Sequence, residues 1–143
     1  MGWHDATVYG IAILPELFEL VLDIDYLLRW VDPVPPSSNS SFWVSPATLA
    51  FQGVQDIASD ISIQHIERPT IQEIRRINPS PTPVGGLTDW HWTIELHQGK
   101  VTFRAHGFKQ FFRRPPVQLD SQELGLERRG GLSFDREWVQ RAV

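Results

Sequence analysis

The chain has 143 residues, a formal net charge of −4, 41% hydrophobic and 21% charged residues, and no cysteine. That length holds one core and that balance is far from the composition of disordered chains, so a single domain over residues 1–143 is expected. The absence of cysteine excludes disulfide frameworks, thiolate metal sites and cysteine nucleophiles. The apolar run from Ile11 to Leu28 is broken by Pro15, Glu16, Glu19, Asp23 and Asp25, so it neither spans a bilayer nor serves as a signal-peptide core. No membrane association and a cytoplasmic location are expected.

In chain order, ATVYGIAIL and FELVLDIDY flank Pro15-Glu16 with β-branched and aromatic residues in alternation, which predicts a hairpin. With Pro15 and Glu16 as the loop, Thr7, Tyr9, Ile11 and Ile13 share a core face with Phe18, Leu20, Leu22 and Ile24. The opposite face then gathers His4, Ala6 and Val8 beside Asp23 and Asp25. Proline at the first loop position conflicts with a primed turn, and a one-residue slip would scatter this group.

The Pro- and Ser-rich stretch at 32–41 reads as a loop, followed by strand segments in SFWVSPATLAFQGV with an edge or bend at Pro46. Residues 64–78 fit a strand or a short helical turn equally. A second loop is expected at 78–86. The best-defined element is DWHWTIELHQGKVTFRAHG, Asp89 to Gly107, a hairpin turning at Gln98-Gly99. Its dry face carries Trp90, Trp92, Ile94, Leu96, Val101, Phe103, Ala105 and Gly107. Its wet face sets His91 opposite His106 and Thr93 opposite Arg104. DREWVQ, from Asp135, is compatible with a short terminal helix. With no helix long enough for an α/β crossover, the expected class is mainly β: an antiparallel β-sandwich, or a strongly curved sheet or partly open barrel, with one or two short helices.

Two constellations are candidate sites. A histidine with two carboxylates suits a divalent ion or a general base, which singles out His4, Asp5, Asp23 and Asp25. The plainer reading pairs Asp25 with His4 and leaves Asp23 facing water. His91 and His106, opposite each other on a sheet, would need a third ligand to hold zinc; Glu95 is two pleats away and too far. No cofactor is implied by any motif. Among the six tryptophans, Trp3, Trp30, Trp43 and Trp138 have no periodic place. An exposed one such as Trp43 near Arg128, Arg129 or Arg136 would make a partner-binding hot spot.

Charge is unevenly distributed. Residues 1–63 hold eight acids and only Arg29 as a base, whereas residues 100–143 hold nine bases and five acids. Either the two ends pack together and neutralise each other, or each presents a charged surface to a partner. Arg113-Arg114 and Arg128-Arg129 are short pairs without interleaved exposed aromatics, so nucleic acid is not the expected partner.

The phrases WHDATVYGI, FELVLDIDY, FWVSPATLAF and the RRGGLSF tail resemble a group of small bacterial proteins of about this length, some encoded near polymorphic toxin systems and suspected of immunity roles. The resemblance covers most of the chain and implies a bacterial, cytoplasmic, non-enzymatic β protein. The leading expectation is therefore a protein-interaction module, one form of which is an immunity-type inhibitor holding a toxin through its acidic N-terminal surface. The alternatives are a binder of a small or lipid-like ligand in a tryptophan-lined cavity, and a metal-dependent enzyme built on the histidines above. Oligomeric state is left open.

Overall fold

A computed structural model describes residues 2–82 and 85–137. The β-branched and aromatic alternation of the first block produces β1 (Gly2–Leu14) and β2 (Glu19–Val31), joined by a single 3-10 turn at Pro15–Leu17. Then follow β3 (Ser41–Gln52), β4 (Gln55–Ser59), β5 (Ile71–Pro81), β6 (Thr88–Leu96), β7 (Gly99–Ala105), β8 (Gly107–Phe112) and β9 (Val117–Leu119). The lone α-helix among the described residues is α1 (Leu126–Arg129). The protein is mainly β, as expected. One antiparallel sheet runs β1-β2-β3-β8, with β9 also on β3, and the other runs β4-β7-β6-β5.

The two sheets meet along a bent ribbon. β3 passes into β4 through Gly53, and β7 passes into β8 through His106, while the pairing continues across the bend from Gln52↔Gly107 to Gln55↔Arg104. Gly53 has φ +68°, and a Cβ there would lie 2.4 Å from the His106 ring. The corner therefore needs glycine both for its left-handed backbone and for room. At the opposite side β1 meets β5, with a bridge at Thr7↔Thr70 and the Val8 N–H donating to the Pro69 carbonyl at 2.8 Å. The layers thus form a sandwich-like fold short of a closed barrel.

Inward residues of both sheets fill the space between them. Leu20, Leu22, Ile24, Leu49, Ile94 and Val101 are buried there, and Phe51 packs edge-on against Trp92 at 5.2 Å and Phe103 at 4.8 Å. Truncating an aromatic in such a core costs about 3–5 kcal/mol. On the other face of the first sheet, the segment from Arg113 to Arg136 lies across β2 and buries that strand on both sides, so that Glu19 through Asp25 are all buried.

Both expected hairpin registers shift. The first turn spans Pro15 to Phe18, four residues instead of two, and Phe18 closes it in the left-handed region at φ 54°. The longer turn pairs Gly10 with Asp23 and Ile11 with Leu22, two residues off the expected register, and a bulge near Tyr9 brings this to one residue, so Thr7 pairs with Asp25. In consequence Ala6 and Val8, not Thr7 and Tyr9, enter the core. The proline, which fits the start of a 3-10 turn, accounts for the two-residue shift near the turn, while the one-residue change at the bulge is what exchanges the faces.

In the second hairpin the loop is His97-Gln98, closed by Leu96↔Gly99, and His91 faces Arg104. A shift of two residues preserves which side chains point inward, so Trp92, Ile94, Leu96, Val101, Phe103 and Ala105 are buried as expected. It does separate His91 from His106. The stretch left open at 64–78 resolves into strand from Ile71 onward, and β5 runs on through Asn78-Pro79-Ser80-Pro81, shortening the loop expected at 78–86. Prolines are tolerated there because β5 is an edge of its sheet. The terminal helix expected from DREWVQ falls largely outside the described residues.

Candidate functional site

The sequence candidates on β2 lie within an ionic cluster beneath the C-terminal segment. Arg129 donates from Nε to Asp25 Oδ1 at 3.0 Å, from Nη1 to Asp23 Oδ2 at 2.7 Å and from Nη2 to Asp23 Oδ1 at 2.6 Å. Its two remaining N–H groups reach the carbonyls of Gly131 and Ile24 at 2.8 and 3.1 Å, so all five donors are used. Arg113 adds a second contact to Asp23 Oδ1 at 2.6 Å and donates to Thr48 Oγ1 at 2.7 Å. Asp25 Oδ2 accepts from the Tyr9 hydroxyl at 2.8 Å and from the Leu124 N–H at 2.7 Å. The Arg129 guanidinium also lies over the Tyr9 ring, 3.8 Å from its centroid.

Electrostatics follow the geometry. Burial opposes the charge on Arg129, but Asp23 and Asp25 outweigh it and its pKa is raised. Burial, and then the charge of Asp25, push the Tyr9 phenol well above its ordinary value. Among the described residues no buried side-chain polar atom lacks a partner. With each buried polar atom of the cluster partnered and most contacts running from β2 to residues 113–133, its arrangement is that of a clamp for the C-terminal segment.

The structure therefore dissolves the first constellation. Asp23 does not face water; it is fully buried. His4 is exposed, hydrogen-bonds through Nδ1 with the Gln72 carbonyl at 2.6 Å, and lies 3.6 Å from Asp5. Asp5 accepts from Gln122 at 3.2 Å. His4 thus faces β5 rather than Asp23 or Asp25, because the bulge and the longer turn displace the register that would have joined them. His91 is exposed and opposite Arg104, while His106 sits at the sheet corner against Gly53. Among the described residues no group of three or more His, Asp and Glu side chains is placed to hold a metal ion. Trp43 is half-buried in register with Arg29, and Arg129 is sealed in the cluster, so Arg129 cannot flank an exposed tryptophan; among the described residues Trp30 is the exposed one, at 55%. Arg128 remains exposed, its carbonyl accepting from Arg114 at 3.0 Å. Trp138 lies outside the described residues.

The accessible concavity is elsewhere, on the outer side of the sheet corner. A cleft of about 690 Å³ runs between the β1–β2 turn, which contributes Leu17 and Phe18, and the β5–β6 connection, which contributes Thr82 and Leu87. Outward-facing Gln52, Gln55, Asp89, Arg104 and His106 form its floor. Asp89 is held by Arg104 at 2.7 Å, and Glu19, at the cleft's edge, is bonded to Arg136. The Arg136 hydrogen bond is the main reason the Glu19 carboxyl is held below its ordinary value of 4.5. On the other side of Phe18 a second hollow of about 320 Å³ is lined by Ile13, Leu14, Pro15, Val54 and Ile57.

Phe18 is the ridge between the two hollows. It is 67% exposed, with Leu17 at 57% and Ile13 at 58% beside it. Its backbone is left-handed, which costs a non-glycine residue roughly 1–2 kcal/mol, and it is fixed by its N–H to the Pro15 carbonyl at 3.1 Å and its carbonyl to the Val54 N–H at 2.8 Å. The sequence reading placed Phe18 in the core and missed this surface. The available signal was Leu17-Phe18 itself, two large apolar residues in a turn where glycine, asparagine or aspartate is usual.

Fold and surface together define an antiparallel, sandwich-like β protein with an apolar ridge and an outer cleft at the sheet corner. Set against known protein families and curated proteins, the chain matches none. Among the described residues no helix is long and apolar enough to cross a membrane.

Proposed function

We propose that the protein is a non-enzymatic interaction module that grips a protein partner at the sheet corner, with Phe18 as the anchor. The observation that carries this reading is a large aromatic turned outward from a backbone pinned by two hydrogen bonds, in a conformation that glycine would adopt at less cost. Fixed aromatic anchors flanked by hollows are the usual energetic centres of protein interfaces. An immunity-type inhibitor is one form such a module takes. Of the eight acids of residues 1–63 that first motivated it, Glu19, Asp23 and Asp25 are bound internally by Arg136, Arg113 and Arg129, which leaves a smaller acidic surface that includes Glu16 and Asp56.

A tryptophan-lined cavity finds less support, because Trp3, Trp90 and Trp92 pack into or against the filled core and no tryptophan lines the cleft. The test is site-specific photo-crosslinking in the cell that makes the protein. A photoreactive phenylalanine analogue at position 18 is expected to give one discrete adduct with a second protein, and the same analogue at position 30, at the far end of the hairpin, none. Adducts at position 30 with none at position 18 would overturn the reading.

A further inference from the structure

Resting on that reading, we infer that the occupant of the hollow beside Phe18 is a basic, apolar protein segment: one aliphatic or aromatic side chain seated against Ile13, Val54 and Ile57, flanked by lysine or arginine. The lining of this hollow holds two carboxylates, Glu19 and Asp56, and no basic residue. Their compensation differs. Glu19 is neutralised by Arg136, with Lys109 adding at longer range. Among the described residues Asp56 has only Arg104 as an ion-pair partner, 3.7 Å away, and that guanidinium binds Asp89 more closely at 2.7 Å.

Asp56 keeps 72% of its side chain in solvent. Glu16 stands in the β1–β2 turn, between the lining residues Pro15 and Phe18 in sequence, is exposed, and has no ion pair among the described residues. An apolar depression with one under-compensated carboxylate in its lining, Asp56, and a second, Glu16, in the adjoining turn is complementary to a cationic amphipathic chain and repels an acidic one. Pairing of the occupant with the β4 edge is disfavoured, because the bulge between Gln55 and Ala58 places Asp56 at φ 56° and interrupts that edge.

The experiment selects random short peptides from a display library on the full chain and measures the winners by fluorescence polarisation. Enrichment of an aliphatic or aromatic residue next to lysine or arginine is expected, with affinity falling about tenfold or more in Phe18→Ser. In Glu16→Gln/Asp56→Asn the affinity should fall roughly threefold or more and lose most of its salt dependence, while the fold, read by circular dichroism, is unchanged. Acidic or uncharged winners that still depend on Phe18 overturn the charge assignment and leave the interaction reading intact. Winners indifferent to Phe18 overturn both. A dimer of the protein alone that Phe18→Ser dissolves, seen by sedimentation, would make a second copy the occupant and also overturn the inference.

Discussion

Arg129 shows how much one side chain organises here. Four of its five hydrogen bonds tie β2 to the C-terminal segment, the fifth holds Gly131 within that segment, and the side chain is fully buried. Replacing it by methionine, close in length but uncharged, leaves Asp23 and Asp25 buried with reduced compensation. Arg129→Met should cost about 3–5 kcal/mol, measured by urea unfolding. Tyr9 supplies an optical check on the same site. Its raised pKa means that the neutral phenol is favoured by folding, a contribution present below the ordinary tyrosine value and lost as pH climbs through the folded one. The chain has two tyrosines. In an alkaline absorbance titration one of them should resist ionisation until the fold opens, and that resistant step should vanish in Tyr9→Phe.

At the scale of elements, the two turns at the sheet corner carry opposite costs. Gly53 satisfies its left-handed backbone, and the His106 ring fills the space its missing side chain leaves. Gly53→Ala should therefore lose about 1 kcal/mol or more to backbone strain with a steric cost added, and His106→Ala in the same chain should restore the steric part alone. Phe18 is the reverse case: a left-handed position occupied by a residue that does not favour it. Phe18→Gly should leave thermal stability equal or higher, by up to about 1 kcal/mol, while abolishing the position-dependent partner contact. A large loss of stability in Phe18→Gly would mean that the ring is structural, contrary to the surface proposed.

For the molecule as a whole, the first and last thirds neutralise each other across the outer face of β2. Glu19–Arg136, Asp23–Arg113, and Asp23 and Asp25 with Arg129 are all pairs distant in sequence. Because the Glu19 pKa is depressed in the folded state, its contribution is present above the ordinary 4.5 and is lost as pH falls through the folded value. Thermal scans should show the melting temperature falling as pH drops below about 4.5, less steeply in Glu19→Gln. The clamp also predicts that the Leu124 and Ser133 amides, which donate to Asp25 and Asp23 at 2.7 and 2.8 Å, exchange with solvent only on global unfolding.

Alternation of apolar and polar residues, a local property, was enough to place β2, β6 and β7 and to choose the buried face of β6 and β7, whereas β2 is covered on both faces. That reading survives a register error of two residues because the side-chain period of a strand is two. The candidate sites did not survive, since they depended on exact cross-strand pairs, and turn length and a bulge at Tyr9 moved those pairs. Opposite charge at the two ends announced that something would meet, without saying that Asp23 and Asp25 would be sealed under Arg129 while Phe18 was turned outward. Sequence by itself determined the mainly β class, the core residues of the second hairpin and the charge imbalance. Tertiary structure alone decided which carboxylates were spent in the clamp and which faced water at the corner, because burial and ion pairing depend on contacts between residues about a hundred positions apart.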